Sequence, residues 1–170
     1  VPAFQEVASQ LAKPVHLAFT FDEEVGSFGA AKMPPMMDRL GVKPAIAVVG
    51  EPTGMKPFIG HKGGLELIAN IRGTAGHASD PRGTVNTLYY AARLISHLED
   101  KARSLASQPR RDTPFDPPYT TISVGHIKGG EARNIIADHC RILWEIRPLP
   151  EDEPYAILDE IQHFVAKELL

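Results

Sequence analysis

Apolar and polar residues alternate along three segments in the second half of the chain. In residues 64–72 the apolar side chains occupy almost every second position, and the same alternation recurs in residues 139–147. Residues 120–127 (TTISVGHI) form a third segment of this kind. A period of two is typical of strands in a sheet that has one covered face and one wetter face. These segments therefore predict an antiparallel sheet.

Two amphipathic helices are predicted between and after these strands. Residues 84–103 and 154–169 carry apolar side chains at helical spacing. In the first helix these are Val85, Leu88, Ala92, Ile95 and Leu98. The order of strand, helix, strand, strand and helix predicts an α+β, ferredoxin-like split βαβ layer that lacks only its last strand. Residues 104–119 contain four prolines and predict a surface loop.

The first third of the chain has continuous apolar runs instead of alternation. Residues 15–21 (VHLAFTF) and 45–50 (AIAVVG) are bounded by turn residues, which is typical of strands buried on both faces of a parallel sheet. Residues 26–40 predict a helix that is interrupted at Pro34-Pro35, because consecutive prolines disfavour regular hydrogen bonding. This region therefore predicts a parallel βαβ unit of the α/β class.

The pattern changes near residue 60 and divides the chain. We expect one region over residues 1–60 and a second over residues 61–170, with a hinge at residues 60–64. Residues 1–13 already predict a helix, and the apolar periodicity of the last helix runs to the end of the chain without a cap. We therefore expect the chain to be part of a longer protein.

Composition excludes several classes of function. The 170 residues include 18 Lys and Arg against 21 Asp and Glu, so a net charge of −3 gives no electrostatic reason to bind nucleic acid or anionic lipid. The single cysteine, Cys140, excludes an intramolecular disulfide framework and a cysteine-based zinc site. No apolar run reaches the roughly 18 residues of a membrane span, and the start of the chain does not resemble a signal peptide. We expect a cytoplasmic protein.

Acidic residues follow both predicted parallel strands. Asp22, Glu23 and Glu24 come directly after the first strand, and Glu51 comes directly after the second. Ligands collect beyond the carboxyl ends of strands in open parallel sheets, so these carboxylates can hold a cation or act as a base beside one. The alternative interpretation is that they cap the following helices.

Three further polar residues lie in glycine-rich turns or at a strand end. His77 lies in GTAGHASDPRG, Asn134 follows a glycine pair, and Arg147 ends an alternating strand. His77 is either a solvated loop residue or a functional group. Asn134 fits ordinary turn chemistry, and Arg147 is either a surface charge or a bidentate clamp for a carboxylate.

Six motifs occur in one order and carry a family resemblance. They are FTFDEEVGSFGA, VVGEPTG, GHKGGLEL, GTAGHASDPRGTVN, SVGHIKGGEARNIIADHC and EIRPLP. Together they resemble the zinc-dependent amidohydrolases and peptidases, a family that includes acetylornithine deacetylase, succinyl-diaminopimelate desuccinylase, aminoacylase and glutamate carboxypeptidase. The resemblance covers essentially the whole chain.

In residues 1–60 the resemblance implies part of a metal-dependent catalytic domain. Glu23 matches the general base, Glu24 matches the adjacent metal ligand, and Glu51 matches a ligand of the other metal. The implied cofactors are two zinc ions, or cobalt. The family's upstream His-x-Asp, bridging Asp and downstream metal-binding His have no counterparts in the chain. Since zinc sites need three or four ligands with nitrogen or sulfur donors, we expect the chain alone to bind zinc weakly and to be inactive.

In residues 61–170 the resemblance implies a lid and dimerisation domain. His77 matches a histidine that reaches the active site of the partner subunit of a homodimer. The residues that match substrate-binding positions are Asn134, Arg147 and Lys62. The implied reaction is hydrolysis of the amide bond of an N-acylated amino acid, with N-acetylornithine, an intermediate of arginine biosynthesis, as the expected substrate. The alternatives are a desuccinylase or aminoacylase-type hydrolase, and a non-catalytic dimerisation or ligand-binding module.

Overall fold

The computed structural model describes residues 2–169. The chain divides into two compact units, Val1–Gly54 and Met55–Leu170. The boundary that the sequence predicts at residue 60 lies a few residues farther along the chain and stays a prediction. None of the described helices is long and apolar enough to cross a membrane.

The second unit is built on a three-stranded antiparallel sheet. Its strands are β1 (Leu65–Arg72), β3 (Thr121–Gly129) and β5 (His139–Arg147), and β5 lies between the other two. A two-stranded antiparallel ribbon joins β2 (Gly76–His77) to β4 (Ile135–Ile136). The helices are α3 (Thr87–Ala106) and α4 (Pro154–Phe164), and a short π-helix, Val165–Leu169, follows α4. The predicted order of strand, helix, strand, strand and helix is confirmed for β1, α3, β3, β5 and α4, whereas the short strands β2 and β4 are not predicted.

One face of this sheet and the two helices enclose the core. The buried side chains of β5 are Cys140, Ile142, Trp144 and Ile146, which are the residues that the alternation predicts. They pack with the buried side chains of both helices, which are Ala91, Leu94, Leu98, Ile157 and Ile161. Burial of these apolar side chains is the main driving force for folding of this unit.

The buried stripe of α3 differs from the predicted one. The apolar spacing predicts Leu88 in the core, but Leu88 is 37% exposed, whereas Thr87 is fully buried. The Thr87 hydroxyl donates to the carbonyl oxygen of Ala137 at 3.0 Å, and the Thr87 amide donates to the same oxygen at 2.9 Å. These bonds hold a polar side chain inside and set the rotation of the helix, which apolar spacing alone does not reveal.

The first unit is helical and irregular. Its elements are α1 (Pro2–Val7), α2 (Met33–Arg39) and three 3-10 turns, Ala8–Gln10, Glu23–Val25 and Ala30–Lys32. The predicted N-terminal helix is therefore shorter than residues 1–13. Pro34 and Pro35 do not interrupt a helix as predicted but lie in the first turn of α2, where a backbone N–H would have no helical partner.

The predicted parallel βαβ unit does not form in the first unit. Residues 15–21 and 45–50 lie outside any strand, as do all the other described residues up to Gly54. Their apolar side chains stay in solvent, with Phe19 85% exposed and Val48 92% exposed. A strand of a parallel sheet needs hydrogen-bonded neighbours and cover on both faces, and these two segments have neither here.

Candidate functional site

Glu23 and Glu24 lie in an exposed 3-10 turn that Asp22 stabilises. The backbone of Asp22 is left-handed, with φ of 61°, and its Oδ1 accepts a hydrogen bond from the amide of Gly29 at 2.9 Å. The Asp22 carbonyl oxygen also accepts from the amide of Ser27 at 2.8 Å. Asp22 therefore has a structural role, and both glutamates are exposed to solvent.

Glu51 lies in a separate irregular segment and is also exposed. Its carbonyl oxygen accepts a hydrogen bond from the amide of Thr53 at 2.8 Å. Within residues 2–169, no group of three or more His, Cys, Asp or Glu side chains is placed to hold a metal ion. Two carboxylates do not match the ligand set of a zinc centre, which has three or four ligands and uses nitrogen or sulfur donors. The described residues therefore do not form a zinc site by themselves.

The structure brings His77 and Asn134 together although they are far apart in the sequence. His77 pairs with Ile135, the neighbour of Asn134, in the ribbon of β2 and β4. The amide of Ala78 then donates to the carbonyl oxygen of Asn134 at 2.9 Å. Both residues are exposed, so their polar groups are available at one edge of the unit.

Ser79 orients the imidazole ring of His77. The Ser79 amide donates to His77 Nδ1 at 3.2 Å, and the Ser79 hydroxyl lies 2.7 Å from the same nitrogen. Because Nδ1 accepts a hydrogen bond from the Ser79 amide, the proton of the neutral ring belongs on Nε2. The Nε2–H is then free to donate to an oxygen of a ligand. Ser79 was not among the predicted site residues, although its position two residues after the histidine in a turn was a usable signal.

An ion pair closes the turn that follows His77. Arg82 Nε and Nη2 each donate to a carboxylate oxygen of Asp80 at 2.7 Å. The side-chain hydrogen bond from Arg82 lowers the pKa of Asp80. The Asp80 amide donates to the carbonyl oxygen of His77 at 2.9 Å, so the turn folds back onto the histidine.

Lys62 and Arg147 lie at the other end of the β1–β5 pair. Lys62 Nζ donates to the carbonyl oxygen of Tyr119 at 2.7 Å and lies 5.7 Å from the centre of the Tyr119 ring. Burial lowers the pKa of Lys62, and the charge of Asp116 opposes that shift. Arg147 Nη2 donates to Glu145 Oε2 at 2.8 Å, and this hydrogen bond raises the pKa of Arg147.

The four predicted site residues of the second unit thus form two pairs at opposite ends of β1. The eight residues of β1 separate the ends by about 25 Å at the usual rise per residue. Backbone hydrogen bonds continue beyond the end of the β1–β5 pair. The amide of Gly73 donates to the carbonyl oxygen of Asp138, and the ribbon of β2 and β4 follows. The length of β1 therefore separates the two pairs along the sheet.

Comparisons with known proteins identify a family for the larger part of the chain. Residues 59–170 match the family model described as "Peptidase dimerisation domain". An acetylornithine deacetylase from Salmonella arizonae is 35% identical over 142 residues, which cover 84% of this chain and 36% of that protein. An acetylornithine deacetylase from Myxococcus xanthus is 35% identical over 163 residues, which cover 96% of this chain and 42% of that protein. The chain therefore spans less than half the length of these curated relatives.

A solved structure shows the same fold. Aminopeptidase PepT from Bacillus cereus superposes with a TM-score of 0.55 at 24% sequence identity. The superposition covers 85% of this chain and 35% of that chain.

Proposed function

The chain belongs to the peptidase dimerisation-domain family, and on that premise we propose that it is part of a metal-dependent amidohydrolase. Residues 61–170 are its lid and dimerisation domain, and residues 1–60 are part of its catalytic domain. The reaction is hydrolysis of the amide bond of an N-acylated amino acid, and N-acetylornithine is the substrate that the names of the two curated relatives favour. The observation that carries the proposal is that the ribbon of β2 and β4 brings two exposed residues, His77 and Asn134, close together.

Two residues of the chain supply acid–base and electrostatic catalysis in this proposal. Glu23 accepts the proton of the attacking water and passes it to the leaving amine. His77 donates its Nε2–H to the carbonyl oxygen as that oxygen gains charge, and the contact of Nδ1 with Ser79 fixes the required tautomer. The exposure of both residues leaves them accessible to a substrate.

The metal dependence is also proposed, with zinc or cobalt as the ions. Glu24 and Glu51 are two of the ligands, and a longer protein supplies the others. The described residues of this chain do not complete a metal site by themselves.

Lys62 and Arg147 recognise the free carboxylate of the substrate. An N-acylated amino acid keeps its carboxylate, and acylation removes the charge of its α-amine. Cationic side chains that bind the carboxylate therefore distinguish this substrate from a neutral amide. Arg147 Nε and Nη2 already donate to Glu145 Oε2, at 3.1 and 2.8 Å. The remaining N–H groups of its guanidinium can donate to a second carboxylate.

The active protein is a homodimer in which His77 acts in the site of the partner subunit. The separation of about 25 Å along β1 favours this arrangement, since the pair of His77 and Asn134 can then serve one site while Lys62 and Arg147 serve another. An isologous contact through the second unit would satisfy the exposed edge of its sheet.

Complementation tests the dimer. Full-length Glu23→Gln and full-length His77→Ala are mixed, and subunit exchange is first shown by mass spectrometry of tagged chains. Heterodimers should regain activity, because one of their two sites contains both Glu23 and an intact His77. If exchange is proven and activity stays at the level of the separate variants, His77 acts within its own chain or has no role in catalysis.

A substrate panel on the full-length protein with added zinc or cobalt tests the reaction. Hydrolysis of N-acetylornithine in preference to N-succinyl-diaminopimelate and other N-acyl amino acids supports the deacetylase, and another preference identifies a desuccinylase or aminoacylase. The second candidate is a non-catalytic dimerisation module, which the match of the family model to residues 59–170 alone favours. Failure to hydrolyse any substrate while the protein dimerises would support it.

A further inference from the structure

A buried hydroxyl and a carboxylate link the loop before β3 to the segment after β5. Thr120 is 1% exposed, and its Oγ1 donates to Asp152 Oδ2 and accepts from the amide of Leu149 at 2.9 Å. The other carboxylate oxygen of Asp152 accepts from Arg110 Nη2 at 2.7 Å. We call this set of four residues, Arg110, Thr120, Leu149 and Asp152, the clasp.

The clasp holds Tyr119 from both sides. On one side Tyr119 is followed by Thr120, whose hydroxyl donates to Asp152 and accepts from the amide of Leu149. On the other side it is preceded by Pro118, whose carbonyl oxygen accepts from the amide of Arg110 at 2.8 Å. The carbonyl group of Tyr119 therefore has little freedom to rotate.

Tyr119 in turn fixes the ammonium group of Lys62. Its carbonyl oxygen accepts from Lys62 Nζ at 2.7 Å, and its ring lies within the range of a cation–π contact, at 5.7 Å. Lysine has four flexible side-chain bonds, so an ammonium group with two contacts on one residue moves when that residue moves.

We propose that Asp152 is a positioning residue that, through Thr120 and Arg110, holds Tyr119 and so sets the place of the Lys62 ammonium at the end of β5. Leu149 follows Arg147 by two residues, and the clasp therefore relates the position of Lys62 to that of Arg147. The inference rests on the proposed function only where Lys62 is said to contact the substrate. The competing explanation is that the clasp stabilises the loop and leaves Lys62 unaffected.

Nuclear magnetic resonance of the 170-residue chain tests the positioning without any enzyme assay. The ε-methylene protons of Lys62 should show a ring-current shift from Tyr119. Thr120→Val, which keeps the shape but removes the hydroxyl, should abolish most of that shift, and Thr120→Ser, which keeps the hydroxyl, should preserve it. Unchanged Lys62 signals in a folded Thr120→Val chain would overturn the proposal.

Two further variants keep the test decisive. If Thr120→Val does not fold, Asp152→Asn replaces it, because this side chain is 21% exposed and the change is isosteric. It should reduce the ring-current shift, and an unchanged shift would again overturn the proposal. Glu99→Gln is the control, since it removes the exposed ion pair with Arg103 on α3 and should leave the Lys62 signals unchanged.

Kinetics of the full-length protein test whether the positioning matters for substrate. Thr120→Val and Lys62→Met should each raise KM roughly tenfold at unchanged kcat, the loss expected for one contact with a charged group made equally in the ground and transition states. Thr120→Ser should restore KM. If Lys62→Met raises KM and Thr120→Val does not, the positioning role fails. If Lys62→Met leaves KM unchanged, the proposed contact of Lys62 with substrate fails, and the NMR result still decides the positioning.

Discussion

Both units of the chain contain apolar segments, but only the second unit buries them. In the second unit Ile142 and Ile146 of β5 are fully buried, because β5 has a hydrogen-bonded neighbour on each side and two helices over one face. In the first unit Phe19 and Val48 are 85% and 92% exposed, and their segments pair with no strand. An apolar run thus becomes a strand only where other segments supply hydrogen bonds and cover.

The largest effect that separates the units is expected from Glu23→Gln in the full-length protein. Glu23 is exposed in the irregular first unit, so the change should leave the free energy of unfolding within about 0.5 kcal/mol. Loss of the proposed general base should lower turnover roughly 10²- to 10⁴-fold. Unfolding in urea, turnover and metal content are measured together. A fall of metal content in step with activity would show that Glu23 is a metal ligand instead.

Core truncation should separate the units by stability. Ile142→Ala removes a fully buried side chain from the middle strand and should lower the free energy of unfolding by about 2–5 kcal/mol. Phe19→Ala removes a larger side chain that is 85% exposed and should cost less than about 0.5 kcal/mol. Urea unfolding of the 170-residue chain, followed by circular dichroism, measures both free energies. Equal losses in the two variants would mean that Phe19 is buried in solution and that the contrast between the units is wrong.

Alanine should be tolerated very differently at two glycines of the second unit. A Cβ at Gly73 would lie 2.2 Å from the carbonyl oxygen of Val85, next to the bridge between Thr74 and Val85 that leads to His77. Gly73→Ala should therefore cost about 1–3 kcal/mol. A Cβ at Gly125, in the bulge of β3, would meet no atom within 4 Å, so Gly125→Ala is the matched control and should be nearly neutral. Thermal unfolding compares the variants, and similar melting temperatures would contradict the close contact at Gly73.

The smallest effect is expected from the ion pair beside His77. Hydrogen bonds from Arg82 lower the pKa of Asp80 in the folded chain. A carboxyl with a lowered folded pKa binds fewer protons when folded, so its stabilising contribution is present above the ordinary value of 3.8 and disappears as the pH falls through the folded pKa. Asp80→Asn should therefore slightly flatten the loss of stability between neutral and acidic pH. Unfolding curves over that pH range, compared with wild type, test this, and a steeper loss would reverse the sign.

The sequence by itself determined the second unit well and the first unit poorly. The alternation in residues 139–147 identified the buried side chains of β5, because a strand with one covered face has a period of two wherever it lies. The apolar runs at residues 15–21 and 45–50 predicted strands buried on both faces, and the structure has no strand there. A continuous apolar run indicates that a segment is stable only when other segments pack on it. It does not indicate whether such segments are present.

Only the tertiary structure decided which candidate residues lie together. Strand pairing joins His77 to the neighbour of Asn134, and a single side chain crosses from Lys62 to the carbonyl oxygen of Tyr119. It also decided the rotation of α3, where Thr87 is inside because the carbonyl oxygen of Ala137 accepts its hydroxyl. These contacts depend on the register of strands and on loops that close over long stretches of chain. Local propensity and periodicity act over a few residues, so they carry no information about such distant partners.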